Sequence, residues 1–387
     1  MPTLTPTLIS TPTRTLIRMQ MLIRLLSRPL AFFATLAAIA LNAEAQQRAV
    51  SPPATANGRK PVERRFAPDS LWRRVWVVGA DSTSDRFAEP RQISVSGDVV
   101  VVLDLGTREV SGLDAQTGAA RFLLKPRGQG PGEFKRPARI TATPTGFAVL
   151  DHATARLTGY DRSGRMQWDA LLDNVFSMNA LCVRKGSGNE PHIVANLQRR
   201  DSSIVEYDTT GRRRAIRSLP WKLVPPNAVA FAYAAFMSDA SPGGECVVAP
   251  IFGGEWGVVT PAGALRTFAL KEPGLPADVK VAERTLDRSL TKVTVQSFQT
   301  SNTPHASRGA FIRGDTAIVY AAETRQSPMK LLDYYDLHTG AYLFSRKLPF
   351  IFIALTIGAD GTFYGTLIDA TAQSVIAMRP ELPKVRR

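Results

Sequence analysis

A 47-residue period constrains this chain more than any other feature. Sliding 87–114 onto 134–161 places Phe87 on Phe134, Pro90 on Pro137, Ile93 on Ile140, Val102-Leu103-Asp104 on Val149-Leu150-Asp151, Thr107 on Thr154, Gly112 on Gly159 and Asp114 on Asp161. Average residue usage gives about two coincidences over such a window, so the period is a true repeat. Periods of about 20–50 residues belong to chains built from stacked units that cannot bury their apolar faces alone.

Fainter copies continue the pattern. Tyr160-Asp161-Arg162-Ser163-Gly164 returns as Tyr207-Asp208-Thr209-Thr210-Gly211, weakly at Thr260–Gly263, and clearly at Tyr335–Gly340. Each is a turn in which a carboxylate takes backbone N–H groups and a glycine adopts positive φ. Between the turns lie β-branched and aromatic runs at 98–103, 146–150, 191–197, 246–251, 316–321 and 362–367, six candidate strands with almost no helical periodicity. Units of about four short strands around an axis give an all-β fold, a six-bladed β-propeller of four-stranded antiparallel blades. Blades three to six fall at about 176–222, 234–271, 306–348 and 350–380. The sixth is one strand short. Leu71–Gly79 alternates apolar and polar residues without a repeat partner, so this N-terminal strand is expected to close the ring and remove an exposed edge.

The most specific string is Gly128-Gln129-Gly130-Pro131-Gly132-Glu133-Phe134, followed by Pro137 and Ile140. It resembles the blade junction of the NHL repeat and of exported bacterial six-bladed propellers related to it, with Asp104, Asp114, Asp151 and Asp161 at matching strand ends. The resemblance is strong over 71–165, patchy to 265 and weak afterwards. Physically, Gly128, Gly130 and Gly132 free the backbone, Pro131 and Pro137 fix φ, and Phe134 suits a wedge between blades. No helix start or Lys/Ser pair follows, which sets the phosphate-loop reading aside.

Ahead of the repeats, Arg14, Arg18, Arg24 and Arg28 precede an apolar run from Leu30 to Leu41, and Ala43-Glu44-Ala45 fits signal peptidase. Residues 1–45 are therefore expected to be a signal peptide cleaved between Ala45 and Gln46, with 46–65 a flexible leader, 66–382 the propeller and 383–387 a basic tail. The mature chain carries no further membrane span. The formal charge is +15, and removing four arginines and Glu44 leaves +12. That balance favours anionic partners, although charge spread over a solvated surface reads the same way. Arg212-Arg213-Arg214 is expected at a loop tip. Cys182 and Cys246 are the only cysteines. They fall on adjacent blades, where an oxidising compartment lets them pair, or they remain two buried thiols.

Chemistry is sparse. His152, His192, His305 and His338 lack metal-ligand spacing and read as surface residues, and no zincin, nucleophile-elbow or calcium-loop motif occurs. Asp104 and Asp151 read as turn caps. The exception to blade grammar is 271–307, between blades four and five, where apolar spacing over Val281–Leu290 suggests a short helix and loop, or an unstructured insertion. The sequence points to a monomeric, non-catalytic binding or scaffolding module, periplasmic or secreted. It needs no cofactor, and its partner is a protein or envelope polymer, with the charge balance favouring an anionic one, rather than nucleic acid. The rival is a lactonase-like hydrolase or lyase with a divalent metal at the channel mouth.

Overall fold

The computed structural model describes residues 63–67, 71–79, 86–125, 128, 130–186, 188, 190–199, 202–221, 233–273, 279–288, 291–300, 305–323, 328–368 and 373–381. The expected cleavage point at Ala45–Gln46, most of the leader, Gln129 and the basic tail lie outside the described residues.

Strand β1 (Leu71–Val78) comes first. Blade one follows as β2 (Pro90–Ser96), β3 (Val99–Asp104), β4 (Glu109–Asp114) and β5 (Ala120–Leu124). Blade two is β6 (Pro137–Ala142), β7 (Gly146–Asp151), β8 (Arg156–Asp161) and β9 (Met166–Leu171). Blade three is β10 (Met178–Lys185), β11 (Pro191–Leu197), β12 (Ile204–Tyr207) and β13 (Arg213–Arg217). Blade four is β14 (Ala235–Met237), β15 (Cys246–Pro250), β16 (Glu255–Val259) and β17 (Leu265–Ala269). A hairpin, β18 (Val279–Arg288) and β19 (Thr291–Thr300), precedes blade five, which is β20 (Ser307–Arg313), β21 (Thr316–Glu323), β22 (Pro328–Asp336) and β23 (Tyr342–Lys347). Blade six has β24 (Ala354–Ile357), β25 (Phe363–Ile368) and β26 (Gln373–Glu381), and β1 is its fourth strand. All pairings are antiparallel. The register of β1 on β26 runs from Leu71 opposite Glu381 to Val78 opposite Val375. Each blade's innermost strand contacts the next, and β24 returns to β2, closing the ring.

The core lies between blades. Six apolar clusters each join one blade to its neighbour. This arrangement explains the run Val99–Leu103: Val99, Val101 and Leu103 face the seam with blade two, while Val100 and Val102 face the seam with blade six. A strand buried on both sides needs a continuous apolar run rather than alternation. The repeated Gly112 and Gly159 have a packing cause. Phe122 lies opposite Gly112 and Trp168 opposite Gly159, and a Cβ on either glycine would come 2.2 or 2.1 Å from the ring. The Asp-x-x-Gly turns form as sequence chemistry requires. Asp161 Oδ1 accepts the Ser163 and Arg165 amides, Asp208 Oδ1 accepts those of Thr210 and Arg212, and Gly164 and Gly211 both take φ of 81°.

Three details differ from the sequence expectations. The segment 271–307 carries the hairpin β18–β19 instead of a helix; Thr285, Thr291, Val293 and Val295 are β-branched, and apolar spacing over a single ten-residue stretch did not separate the two periods. The arginine run occupies no loop tip, since Arg213 and Arg214 open β13. Residues before 66 also pack on the ring: Ser345 on β23 takes the Ala67 amide and donates to Arg65 O. There the Arg64 guanidinium is buried against Asp333 and Glu272, at 3.1 and 2.6 Å.

Candidate functional site

The inner strands line the axis, and their side chains bond blades one to two, two to three, three to four and five to four. Gln92 donates through Nε2 to Ala138 O at 2.7 Å and accepts the Ile140 amide at 2.9 Å. Arg139 Nε donates to Asn179 O at 2.7 Å, and Asn179 Nδ2 donates to Ala235 O at 2.6 Å. Ser307 Oγ donates to Pro250 O at 2.5 Å. At the end where the inner strands finish, Asp239 reaches from the β14–β15 connection across to blades one and two. It accepts Ser94 Oγ at 2.9 Å, Thr141 Oγ1 at 3.0 Å and the Ala142 amide at 2.8 Å. Burial raises its pKa against the opposing pull of those three bonds.

At the opposite end, where the inner strands begin, two aspartates organise the loops. Asp104 accepts the amides of Ala88, Glu89, Gly106 and Thr107. Asp151 accepts those of Lys135, Arg136, Ala153 and Thr154. Each carboxylate ties the loop entering its blade to the loop after its second strand. The glycine-rich junction belongs to the same end. Glu133 Oε2 accepts the Gly130 amide, Gly132 has φ of 75°, Tyr160 donates to Gly132 O, and Phe134 is buried in the seam between blades one and two. Pro137 opens β6, Pro131 is exposed, and Gly128 lies beside the Glu133 carboxylate.

Around Asp151 gathers a basic group that motif reasoning missed. His152 donates its amide to Arg136 O at 3.1 Å, yet its buried Nε2 has no hydrogen-bond partner. Burial lowers the imidazole pKa, and repulsion from Arg139 and Arg136 lowers it further against the pull of Asp151. Phe176, 73% exposed, places its ring 5.5 Å from that of His152. The Arg139 guanidinium bonds only the carbonyls of Asn179 and Ala138, and no described carboxylate pairs with it; burial lowers its pKa.

Two other polar sites are internally satisfied. Between blades three and four, Glu206 meets Arg184 at 3.0 Å, Arg217 at 2.5 Å and His192 at 2.6 Å. Burial alone would raise its pKa, but His192, Arg184 and Arg217 outweigh that and hold it low. His192 is thus half-buried and partnered rather than a surface residue. In the same seam Cys182 and Cys246 are joined, with Cα atoms 6.2 Å apart. A cleft of about 480 Å³ between blades six and one carries Asp98, Asp360 and Arg379; Asp360 is paired with Arg379, and Asp98 with Arg121.

Among the described residues, no set of side chains on the axis offers a site for a divalent cation. The six inner strands contribute no carboxylate and no histidine, and Asp239 has its oxygens taken by two hydroxyls and an amide. Asp104 and Asp151 are saturated by backbone N–H groups. Among the described residues no three His, Cys, Asp or Glu side chains converge.

A closed ring of six four-stranded antiparallel blades defines a six-bladed β-propeller. No protein-family model matches the chain, and no curated protein matches it. Solved structures similar to it include a member of the DUF4221 family from Bacteroides vulgatus, at 11% identity and a TM-score of 0.47, over 80% of this chain and 100% of that one. A streptogramin B lyase is 13% identical with a TM-score of 0.46, over 79% and 98% of the two chains. BamB from Moraxella catarrhalis is 13% identical with a TM-score of 0.37, over 82% and 99%. At these identities the likeness is one of fold. No described helix is long and apolar enough to cross a membrane.

Proposed function

We propose that this chain is an exported, NHL-like propeller that works as a non-catalytic binding or scaffolding module, in the periplasm or outside the cell, for a partner bearing negative charge. One observation carries the reading: Arg139 sets a guanidinium into the axial wall with no described carboxylate beside it, in a chain whose mature part has a charge of +12. Uncompensated positive charge in a partly enclosed wall attracts anions more strongly than the same charge free in solvent. The test is retention of the mature protein on an immobilised anionic polymer across a salt series. Retention is expected to fall as NaCl rises from about 0.1 to 1 M, where the screening length shortens from about 10 to 3 Å. Chelator-sensitive turnover of lactones, esters or glycosides by the same preparation would overturn the reading in favour of a hydrolase or lyase.

A further inference from the structure

Blades one and two share a scaffold, so comparing them separates what the fold needs from what has been added. Phe87 and Phe134, Pro90 and Pro137, and Asp104 and Asp151 are identical and do the same work. Three neighbouring positions differ, each 47 residues apart: Glu89 against Arg136, Gln92 against Arg139, and Leu105 against His152. The backbone around them is the same. Leu105 donates its amide to Glu89 O at 2.9 Å, as His152 does to Arg136 O at 3.1 Å. Gln92 completes its blade-to-blade contact as a neutral amide, so the fold does not need an arginine there. Leu105 fills its place without a polar atom, whereas His152 encloses an Nε2 that nothing described satisfies. A buried polar atom left unbonded costs about 1–3 kcal/mol, and the charges of Arg139 and Arg136 oppose protonation of the His152 ring against the pull of Asp151. An anion that accepts from Arg139 and His152 relieves both penalties.

We propose that Arg136, Arg139 and His152, with the exposed Phe176 ring beside them, form a site for one oxyanion group, a carboxylate or phosphate carried by the ligand. Arg139 supplies Nη2, the guanidinium nitrogen outside its bonds to Asn179 O and Ala138 O, His152 supplies Nε2–H, and Arg136 adds charge from the rim. Phe176 offers an apolar surface to the part of the ligand next to the anion. The site deepens the function proposed above and rests on it.

The test titrates the mature protein with sodium sulfate, sodium phosphate and sodium succinate at constant ionic strength, following the His152 ring by NMR and heat by calorimetry. Sulfate and phosphate report a tetrahedral oxyanion, and succinate reports a carboxylate. The variants are Arg139→Gln and His152→Leu, the residues that blade one carries on the same scaffold, with Arg91→Gln as a control outside the site. Saturable binding by the parent and by Arg91→Gln, weakened about tenfold or more in both site variants with unchanged melting, is the expected result. Absence of saturable binding by the parent, or equal affinity in Arg139→Gln, overturns the site. Retention on the anionic polymer is measured on the same variants. If it persists and falls with salt while the small anions fail to bind, the site is wrong and the binding function stands.

Discussion

Four backbone amides converge on the carboxylate of Asp151, and four on Asp104, and this is why the two aspartates survive in both copies of the repeat. Removing such an acceptor strands donors that water reaches poorly, because both residues are 2% exposed. Asp151→Ala should lower unfolding stability by about 3 kcal/mol, read from the urea midpoint, with Asp151→Asn losing less because one oxygen remains; a loss below the measurement error would disprove the capping role. Asp239 makes a prediction of opposite character. Its carboxyl is held above the ordinary range by burial, so the folded state binds its proton more tightly than the unfolded state, whose pKa is about 3.9. Stability from this group is therefore complete below about pH 4 and is lost as pH rises through the raised folded value. Relative to Asp239→Asn, the parent should lose stability as pH rises from about 4 through the raised folded value, and parallel stability curves for the two proteins would refute the assignment. Neither His152 nor Asp239 was legible as a site residue. A lone histidine and a loop aspartate gain meaning only when the ring brings Arg139, Ser94 and Thr141 beside them, and no local spacing encodes that convergence.

Elements were far more legible than side-chain meetings. The 47-residue period, the Asp-x-x-Gly turns and the β-branched runs are local signals, and they predict strands because each blade is a local meander. Ring closure by Leu71–Val78 was readable for a different reason: an alternating strand without a partner met a blade lacking one. Deleting 71–79 should leave β26 with an open edge and abolish cooperative melting, whereas a deletion that melts like the parent would place β1 outside the structural core. The hairpin at β18–β19 departs from both readings of 271–307, a short helix and loop or an unstructured insertion, because ten residues carry too little periodicity to choose. The burial of Arg64 was illegible altogether, since its partners Glu272 and Asp333 lie over 200 residues away. The Cys182–Cys246 link sits in the seam between blades three and four, closing a loop of sequence separation 64. With the link formed, replacing both cysteines by serine should cost about 2–4 kcal/mol. Equal stability of the parent with and without reductant would argue for two free thiols.

At the scale of the whole molecule, the two ends of the ring are unlike. The end where inner strands finish is crossed by Asp239. The end where they begin carries the Arg136–Arg139–His152 group, and from it the chain leaves β17 for the hairpin before returning as β20. The hairpin forms its own two-stranded sheet and joins no blade ladder. Isolated two-stranded sheets are marginal in water, and connections this long in compact domains serve function more often than stability. Ring stability should therefore be indifferent to the hairpin, and partner binding should not. Replacing 279–300 with a short Gly/Ser link is expected to leave the melting temperature within about 2 °C, a shift corresponding to about 1 kcal/mol for a ring of this size. The same variant should change retention on the anionic polymer by threefold or more, because Lys280, Arg284, Arg288 and Lys292 are removed against only Glu283 and Asp287, about two net positive charges. Unchanged retention with an intact ring would confine binding to the blades, and a large fall in melting temperature would make the hairpin part of the fold.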